Sequence, residues 1–312
     1  MKVIRALNNL DKIPKGTVAT IGIFDGIHRG HLAVFYKVIN EAKIKKVPSL
    51  AITFHPHPSR ITKKNTALPL LISLEHRLLM MRNLGINYCL VIPFDRNFSL
   101  LFPHLFVKNI LCAGLGIKIL YVGNNFRFGY GQEGGIRLLK RLSKEFHFRL
   151  TVVRPVKYRK RIISSSWIRK ELNLGNLDLV SRLLGRPFSI YGKVVKGEGR
   201  GKRLGFPTAN LDIKHEALPP SGVYLVKVYF KKDIYPGLLY IGHRPTFSKV
   251  SELSVEVYLL DFKNNLYGKF LEVEFIKRVR AERQFDKISS LVLAMKEDES
   301  FARSFFSQHS SQ

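Results

Sequence analysis

The sequence predicts an α/β protein in two parts, a doubly wound parallel sheet over residues 1–182 and a small antiparallel β-barrel with a terminal helix over residues 183–312. Three observations carry this. Strand and helix signals alternate through the first part, short alternating strands follow one another through the second, and Gly185-Arg186-Pro187 punctuates the chain where the texture changes.

Residues 17–24 are β-branched and apolar, the composition of a strand buried on both faces. Leu32, Phe35, Val38, Ile39 and Ala42 then recur at helical spacing, with lysines at 37, 43, 45 and 46 elsewhere on the helix. Residues 49–54 read as a second buried strand, and Ser73 is placed to cap a helix over 74–84 that Gly85 stops. Strands over 88–92, 118–122 and 150–153 follow, with a helix over 105–111 between the first two. Helices over 167–172 and 178–184 lead to five expected barrel strands, over 189–195, 223–230, 238–241, 253–260 and 271–275. A last helix over 289–306 covers the barrel, and the Ser/Gln tail after Ser307 is expected to fray.

With 312 residues, 46% of them hydrophobic, the chain has material for two sizeable cores. It has no run of 18 apolar residues, and its first 11 residues lack a signal-peptide core, so a cytoplasmic protein without membrane partners is expected. Cys89 and Cys112 lie among apolar neighbours and read as buried thiols rather than zinc ligands. The net charge of +29 is uneven, with 31 Lys and Arg against 9 Asp and Glu up to Arg182 and 21 against 14 beyond it. Such an excess suits anionic small molecules or nucleic acid, or reflects compositional bias with solvated lysines. Its scattered placement speaks against a dedicated nucleic-acid surface. Nothing in the sequence fixes the oligomeric state.

The most informative segment is Gly22-Ile23-Phe24-Asp25-Gly26-Ile27-His28-Arg29-Gly30-His31, between the first strand and the first helix. A helix N-terminus there offers unpaired N–H groups and a partial positive charge, and Gly26 and Gly30 let a phosphate approach the backbone. Two histidines three apart, His28 and His31, are suited to neutralising a phosphoryl group as charge develops on it. A metal pair or a structural histidine is the plainer alternative. Two histidines with two glycines directly after a strand weigh against it.

Four further segments carry chemistry. Thr53-Phe54-His55-Pro56-His57-Pro58 is a rigid loop after a strand, otherwise read as a surface turn. Val122-Gly123-Asn124-Asn125-Phe126-Arg127-Phe128-Gly129 ends a strand in a polar turn, and Ile163-Ser164-Ser165-Ser166-Trp167-Ile168-Arg169 opens a helix with hydroxyls. In the second part, the loop from Gly197 to Gly205 is glycine-rich and basic, and Phe206-Pro207-Thr208-Ala209-Asn210 follows at once. Glu256 lies among Val and Leu on a strand, where partial desolvation would raise its pKa toward that of a working base.

Taken in order, these five motifs closely resemble the bacterial bifunctional riboflavin kinase/FMN adenylyltransferase family, also called FAD synthetase, over nearly the whole chain. The resemblance implies a Rossmann-like nucleotidyltransferase domain over 1–182 and a riboflavin kinase barrel over 183–312. Riboflavin is then phosphorylated to FMN in the second and FMN adenylylated to FAD in the first, with ATP as co-substrate and Mg²⁺ as cofactor. It implies that His28 and His31 stabilise the α-phosphate of ATP. Gly22, Phe24, Asp25, Gly26, Gly30, Asn125, Arg127, Ser164, Ser165, Ser166 and Arg169 would surround the nucleotide. Phe54, Pro56 and Pro58 would line the flavin pocket. In the barrel it implies Thr208 and Asn210 as Mg²⁺ ligands, Glu256 as the base, Gly197 and Gly205 in the ATP loop and Arg280 near the flavin.

The chain departs from the family pattern at His55, where an acidic residue is usual, and at Tyr240 and Tyr258, where Asn and His are usual. Two alternatives therefore stay open, a chain that retains one activity and a basic nucleic-acid-binding protein on the same fold.

Overall fold

The computed structural model describes residues 1–62, 68–197, 199–213, 217–244 and 252–309. Glu198 of the basic loop and residues 310–312 of the tail lie outside the described residues.

Six strands form a wholly parallel sheet: β1 (Lys2–Ile4), β2 (Val18–Ile21), β3 (Ser49–His55), β4 (Tyr88–Pro93), β5 (Ile119–Gly123) and β6 (Arg149–Val153). Their spatial order is β1-β4-β3-β2-β5-β6. Every residue of β2 is buried, as are the first six of β3, which is why these strands read as continuous apolar runs. Ile21, Leu50, Ile52, Leu90, Leu120 and Val122 form the centre of the core, with Val107, Leu111, Leu139 and Leu142 packed on them from helices. The chain winds from β2 to β4 on one side and returns to place β5 and β6 on the other, so the order reverses between β2 and β5. Ligands of such sheets bind at the carboxyl ends of the strands flanking that reversal.

Three details differ from expectation. The edge strand β1 is only three residues long, too short for a periodic signal. β2 ends at Ile21 rather than at residue 24, because the chain turns at Phe24 with φ 55°. The helix expected over 105–111 is a π-helix, Phe106–Gly114, whose wider turn buries Phe106, Val107, Ile110 and Leu111 together.

Beyond a two-stranded hairpin, β7 (Lys157–Tyr158) with β8 (Arg161–Ile162), the chain builds a closed antiparallel barrel. Its strands are β9 (Ser189–Val195), β10 (Ala209–Asp212), β11 (Gly222–Phe230), β12 (Asp233–Arg244), β13 (Glu252–Leu259) and β14 (Phe270–Ala281). There are six strands rather than five. The unexpected β10 has four residues and closes the barrel by pairing with β9 on one side and β13 on the other. Alternation then divides the faces: Tyr224, Val226, Leu239, Val257 and Val273 are fully buried. Val223, Leu225 and Leu238, on the opposite face, pack with Ala302, Phe305 and Phe306 of the terminal helix Ile288–His309.

By contacts the chain divides into two units, Met1–Leu70 with Leu74–Trp167, and Leu71–Ser73 with Ile168–Gln312. The division falls inside the helix Ser165–Asn173.

Candidate active sites

In the first unit the turn after β2 crosses left-handed backbone three times, at Phe24 (φ 55°), Gly26 (φ 84°) and Ile27 (φ 38°). Glycine adopts this freely. For a β-branched isoleucine it is an outlier that the surroundings must hold in place. The turn delivers His28 to the cap position of the helix Arg29–Lys45 and His31 to its first turn. The two imidazoles stack with centroids 3.7 Å apart, and the Phe24 ring stands edge-on to His31 at 5.4 Å. Gly30 leaves room for this stack, since a Cβ there would lie 3.0 Å from Cε1 of His28. Gly22 admits the Phe24 ring in the same way. Asp25, His28 and Gly26 are buried.

Ser165 Oγ donates to the Asp25 carbonyl at 2.8 Å and so ties the serine motif to the turn. The backbone N–H of Trp167 donates to Ser164 Oγ, which caps the helix, while Ser166 is exposed. Arg169 is half-buried on the same helix, beyond the division between the units. Asn125 and Arg127 are exposed just past the end of β5, the strand beside β2. The turns after β2 and β5 thus flank the reversal of strand order.

Phe54, at the end of β3, is buried against Phe94 and Phe98, with Phe98 against Phe106 and Phe106 against Phe128 at centroid distances of 5.5–6.1 Å. Only Phe54 of this aromatic group was expected at a site. Phe128 lies in the motif over 122–129, whereas Phe94, Phe98 and Phe106 lie outside every motif and are signalled only by the density of phenylalanine. Pro56 and Pro58 follow, half-buried, with Pro58 opening the short helix Pro58–Thr62. His55 is exposed at the surface, and partial desolvation of its ring, then the Arg77 charge, lowers its pKa from the ordinary histidine value. The family's usual carboxylate is therefore replaced by a side chain biased toward neutrality.

In the second unit, register assembles the site. Asn210 on β10 pairs with Glu256 on β13, Glu256 with Tyr240 on β12, Tyr240 with Val223 on β11, and Val223 with Arg280 on β14. Directly paired residues share a face, so Asn210, Glu256, Tyr240 and Arg280 stand in one row on the outer face that the terminal helix covers. Thr208 Oγ1 donates to Glu256 Oε2 and Ser254 Oγ to Glu256 Oε1, each at 2.9 Å. Both carboxylate oxygens are thereby oriented. The glycine loop is matched to this row: a Cβ on Gly197 would collide with the Asn210 side chain, and one on Gly201 would lie 3.0 Å from Thr208 Oγ1. Gly205, at φ 87°, turns the loop back toward Thr208.

Arg280 Nε and Nη2 donate to both carboxylate oxygens of the buried Asp298 at 2.9–3.1 Å, which pins the terminal helix to the row. Tyr240 Oη donates to Glu282 at 2.6 Å, and Tyr258 Oη to Glu299 at 3.4 Å. Burial and then the Glu282 hydrogen bond push the Tyr240 phenol above its usual range. The two departures in the barrel, Tyr240 and Tyr258, are thus neutral donors to carboxylates.

The FAD synthetase family model matches residues 10–167, and the riboflavin kinase model matches 184–306. The bifunctional riboflavin kinase/FMN adenylyltransferase of Escherichia coli K12 is 37% identical over 308 residues, 98% of each chain. That of Buchnera aphidicola from Acyrthosiphon pisum is 35% identical over 99% of each. A solved structure from Streptococcus pneumoniae, described as a macrolide-efflux protein, superposes with TM-score 0.82 at 28% identity, covering 97% of this chain and 99% of that one. No helix among the described residues of this chain is long and apolar enough to cross a membrane. The chain belongs to the bifunctional riboflavin kinase/FMN adenylyltransferase family, with FAD synthetase in its N-terminal part and riboflavin kinase in its C-terminal part.

Proposed function

We propose that the two activities use two separate ATP sites, adenylyl transfer at the turn carrying His28 and His31, and phosphorylation of riboflavin at the row carrying Glu256. The observation behind this reading is that each cluster is linked by hydrogen bonds or register within its own unit, Ser165 to Asp25 in one and Thr208 to Glu256 to Asn210 in the other. We place the functional boundary at 182/183, in keeping with the interval between the two family matches.

In adenylyl transfer a phosphate oxygen of FMN attacks the α-phosphorus of ATP, and the bond to the β-phosphate oxygen breaks to release pyrophosphate. The stacked histidines and the N–H groups at the start of the helix Arg29–Lys45 face the charge that develops there. Asn125, Arg127 and Ser166 take the remaining phosphate oxygens, and the aromatic group around Phe54, with Pro56 and Pro58, takes the isoalloxazine. No covalent intermediate is required.

In the kinase, Glu256 accepts the proton of the ribityl 5′-hydroxyl as its oxygen attacks the γ-phosphorus and ADP leaves. The donor set fits Mg²⁺. Thr208 spends its proton on Glu256, which leaves the hydroxyl lone pairs for a hard cation, and Asn210 supplies an amide oxygen beside it. Bound there with ATP, the cation would neutralise phosphate charge. Arg280, whose N–H edge is committed to Asp298, meets the flavin through its plane. Substrates of this kind, with ATP, suit an enzyme of the cytoplasm acting on small molecules rather than nucleic acid.

Complementation tests the two-site reading. His28→Ala/His31→Ala and Glu256→Gln proteins, each unable alone to make FAD from riboflavin, ATP and Mg²⁺, should make it when mixed, because FMN passes between them. Chromatography that finds no FAD in the mixture, with both proteins folded, would sink the assignment.

A further inference from the structure

Arg77 lies on the helix Leu74–Asn83 and is 1% exposed. Its guanidinium reaches beneath the turn that follows β2. Nη1 donates to the Ile23 carbonyl at 2.5 Å and to Thr53 Oγ1 at 2.8 Å, and Thr53 Oγ1 donates to the same Ile23 carbonyl at 3.2 Å. A carbonyl gripped by two donors cannot rotate without breaking both bonds. That carbonyl belongs to the peptide plane joining Ile23 to Phe24, so holding it restrains φ of Phe24, the first of the left-handed residues. Asp25, buried at 3% exposure, attracts the Arg77 charge from the next peptide along.

Burying a guanidinium is costly, and here burial opposes its charge despite the Asp25 attraction. Of the other buried positions in this helix, Leu74, Leu78 and Met81 are filled by apolar side chains and only His76 is polar. The arrangement is therefore better suited to fixing the turn than to filling space. One nitrogen, Nη1, serves both acceptors and is held in the plane of a rigid guanidinium, whereas a lysine ammonium could reach the same two oxygens only on a freely rotating stem.

We propose that Arg77 is a positioning residue for adenylyl transfer, clamping the Ile23–Phe24 peptide so that the strained turn presents His28 and His31 in the geometry the transition state requires. It acts through the turn and does not touch the phosphates. The inference rests on the reading of His28 and His31 as the adenylyl-transfer histidines.

The test is steady-state kinetics of the full chain with Arg77→Met and Arg77→Lys, measuring FMN adenylylation and riboflavin phosphorylation on the same preparation. A loosened turn that still binds ATP predicts that Arg77→Met lowers kcat for adenylylation about 100-fold while KM for ATP moves less than about threefold. Arg77→Lys should recover about tenfold of that loss, and the kinase rate should stay at the wild-type level. The proposal is overturned if kcat of Arg77→Met stays within about twofold of wild type, if the whole loss appears in KM, or if lysine recovers nothing. Parallel loss of both activities would mark a purely structural arginine and overturn it too. Should Arg77→Met not fold, Arg77→Lys decides alone: an adenylylation kcat about tenfold down with the kinase intact supports the clamp, and an unchanged kcat overturns it. Failure of the underlying reading looks different, since His28→Ala/His31→Ala would then still make FAD.

Discussion

In the first unit, ten consecutive residues carry the turn, both histidines and three glycines, whereas the barrel draws Asn210, Glu256, Tyr240 and Arg280 from four strands joined only by register. The first centre is a matter of backbone. Its groups are held by left-handed residues at Phe24, Gly26 and Ile27, by the stack of two imidazoles and by hydrogen bonds to the Ile23 and Asp25 carbonyls. The second is a matter of side chains on a rigid sheet, where ladder pairing sets the row and residues outside it aim its members, Thr208 and Ser254 for Glu256, Glu282 for Tyr240 and Asp298 for Arg280. A slip of one residue in β13 would carry Glu256 into the barrel interior and turn Val255 and Val257 out of it, so the kinase centre is as robust as the ladder and no more adjustable.

The sharpest way to break the comparison is to remove one group from each centre. Glu256→Gln keeps the shape of the row, with its amide oxygen accepting from one of Thr208 and Ser254 and its NH2 donating to the other hydroxyl, but it cannot take the ribityl proton. Riboflavin phosphorylation should fall by about 10³-fold or more, while FAD formation from supplied FMN stays at the wild-type rate. At the other centre His28→Ala/His31→Ala should lower FAD formation by about 10²–10³-fold and let FMN accumulate from riboflavin. Flavin chromatography reads both. If either variant lost the two activities equally while folded, the centres would not be independent.

What was legible follows from the same contrast. The turn from Gly22 to His31 is contiguous, and its glycine spacing, position after a buried strand and paired histidines all point one way before any fold is known. The serine motif was legible for the same reason, although the engagement of Ser164 with its own helix and of Ser165 with Asp25 was not. Arg77 was invisible, because an arginine on a short helix reads as a solvated cation and only the tertiary fold turns it inward. The row on the barrel was half visible. Thr208, Asn210 and Glu256 stood out through resemblance, but β10 is too short to alternate, and without it nothing brings Asn210 beside Glu256. Arg280 could be named, and its partner Asp298, a helix and 18 residues away, could not.

A smaller effect separates loop from ladder within the kinase centre. Gly197 belongs to the basic loop, and a methyl group there would displace the Asn210 amide without altering the strand pairs around it. Gly197→Ala should raise the kinase KM for Mg-ATP about tenfold and leave adenylylation untouched, as initial rates at varied ATP will read. An unchanged KM would mean that Asn210 is not held by the loop.

The smallest expected effect concerns Tyr240, the member of the row that departs from the family pattern. Its hydroxyl donates to Glu282 at 2.6 Å, and its pair across the ladder is Glu256. The phenol is pushed up by burial first and by Glu282 second, so it stays a neutral donor through the pH range in which the enzyme works, and no loss of kinase activity near pH 9 should trace to it. Tyr240→Phe removes that donor but keeps the ring, and because Glu282 is only half-buried and can be rehydrated it should move the kinase KM only about two- to threefold. Tyr240→Asn removes the ring as well and opens space beside Glu256. If the ring forms a wall for the flavin, Tyr240→Asn should raise KM for riboflavin further than Tyr240→Phe, with kcat nearly constant. If the two variants behave alike, the hydroxyl alone matters, and this end of the row is set by the Glu282 contact rather than by shape.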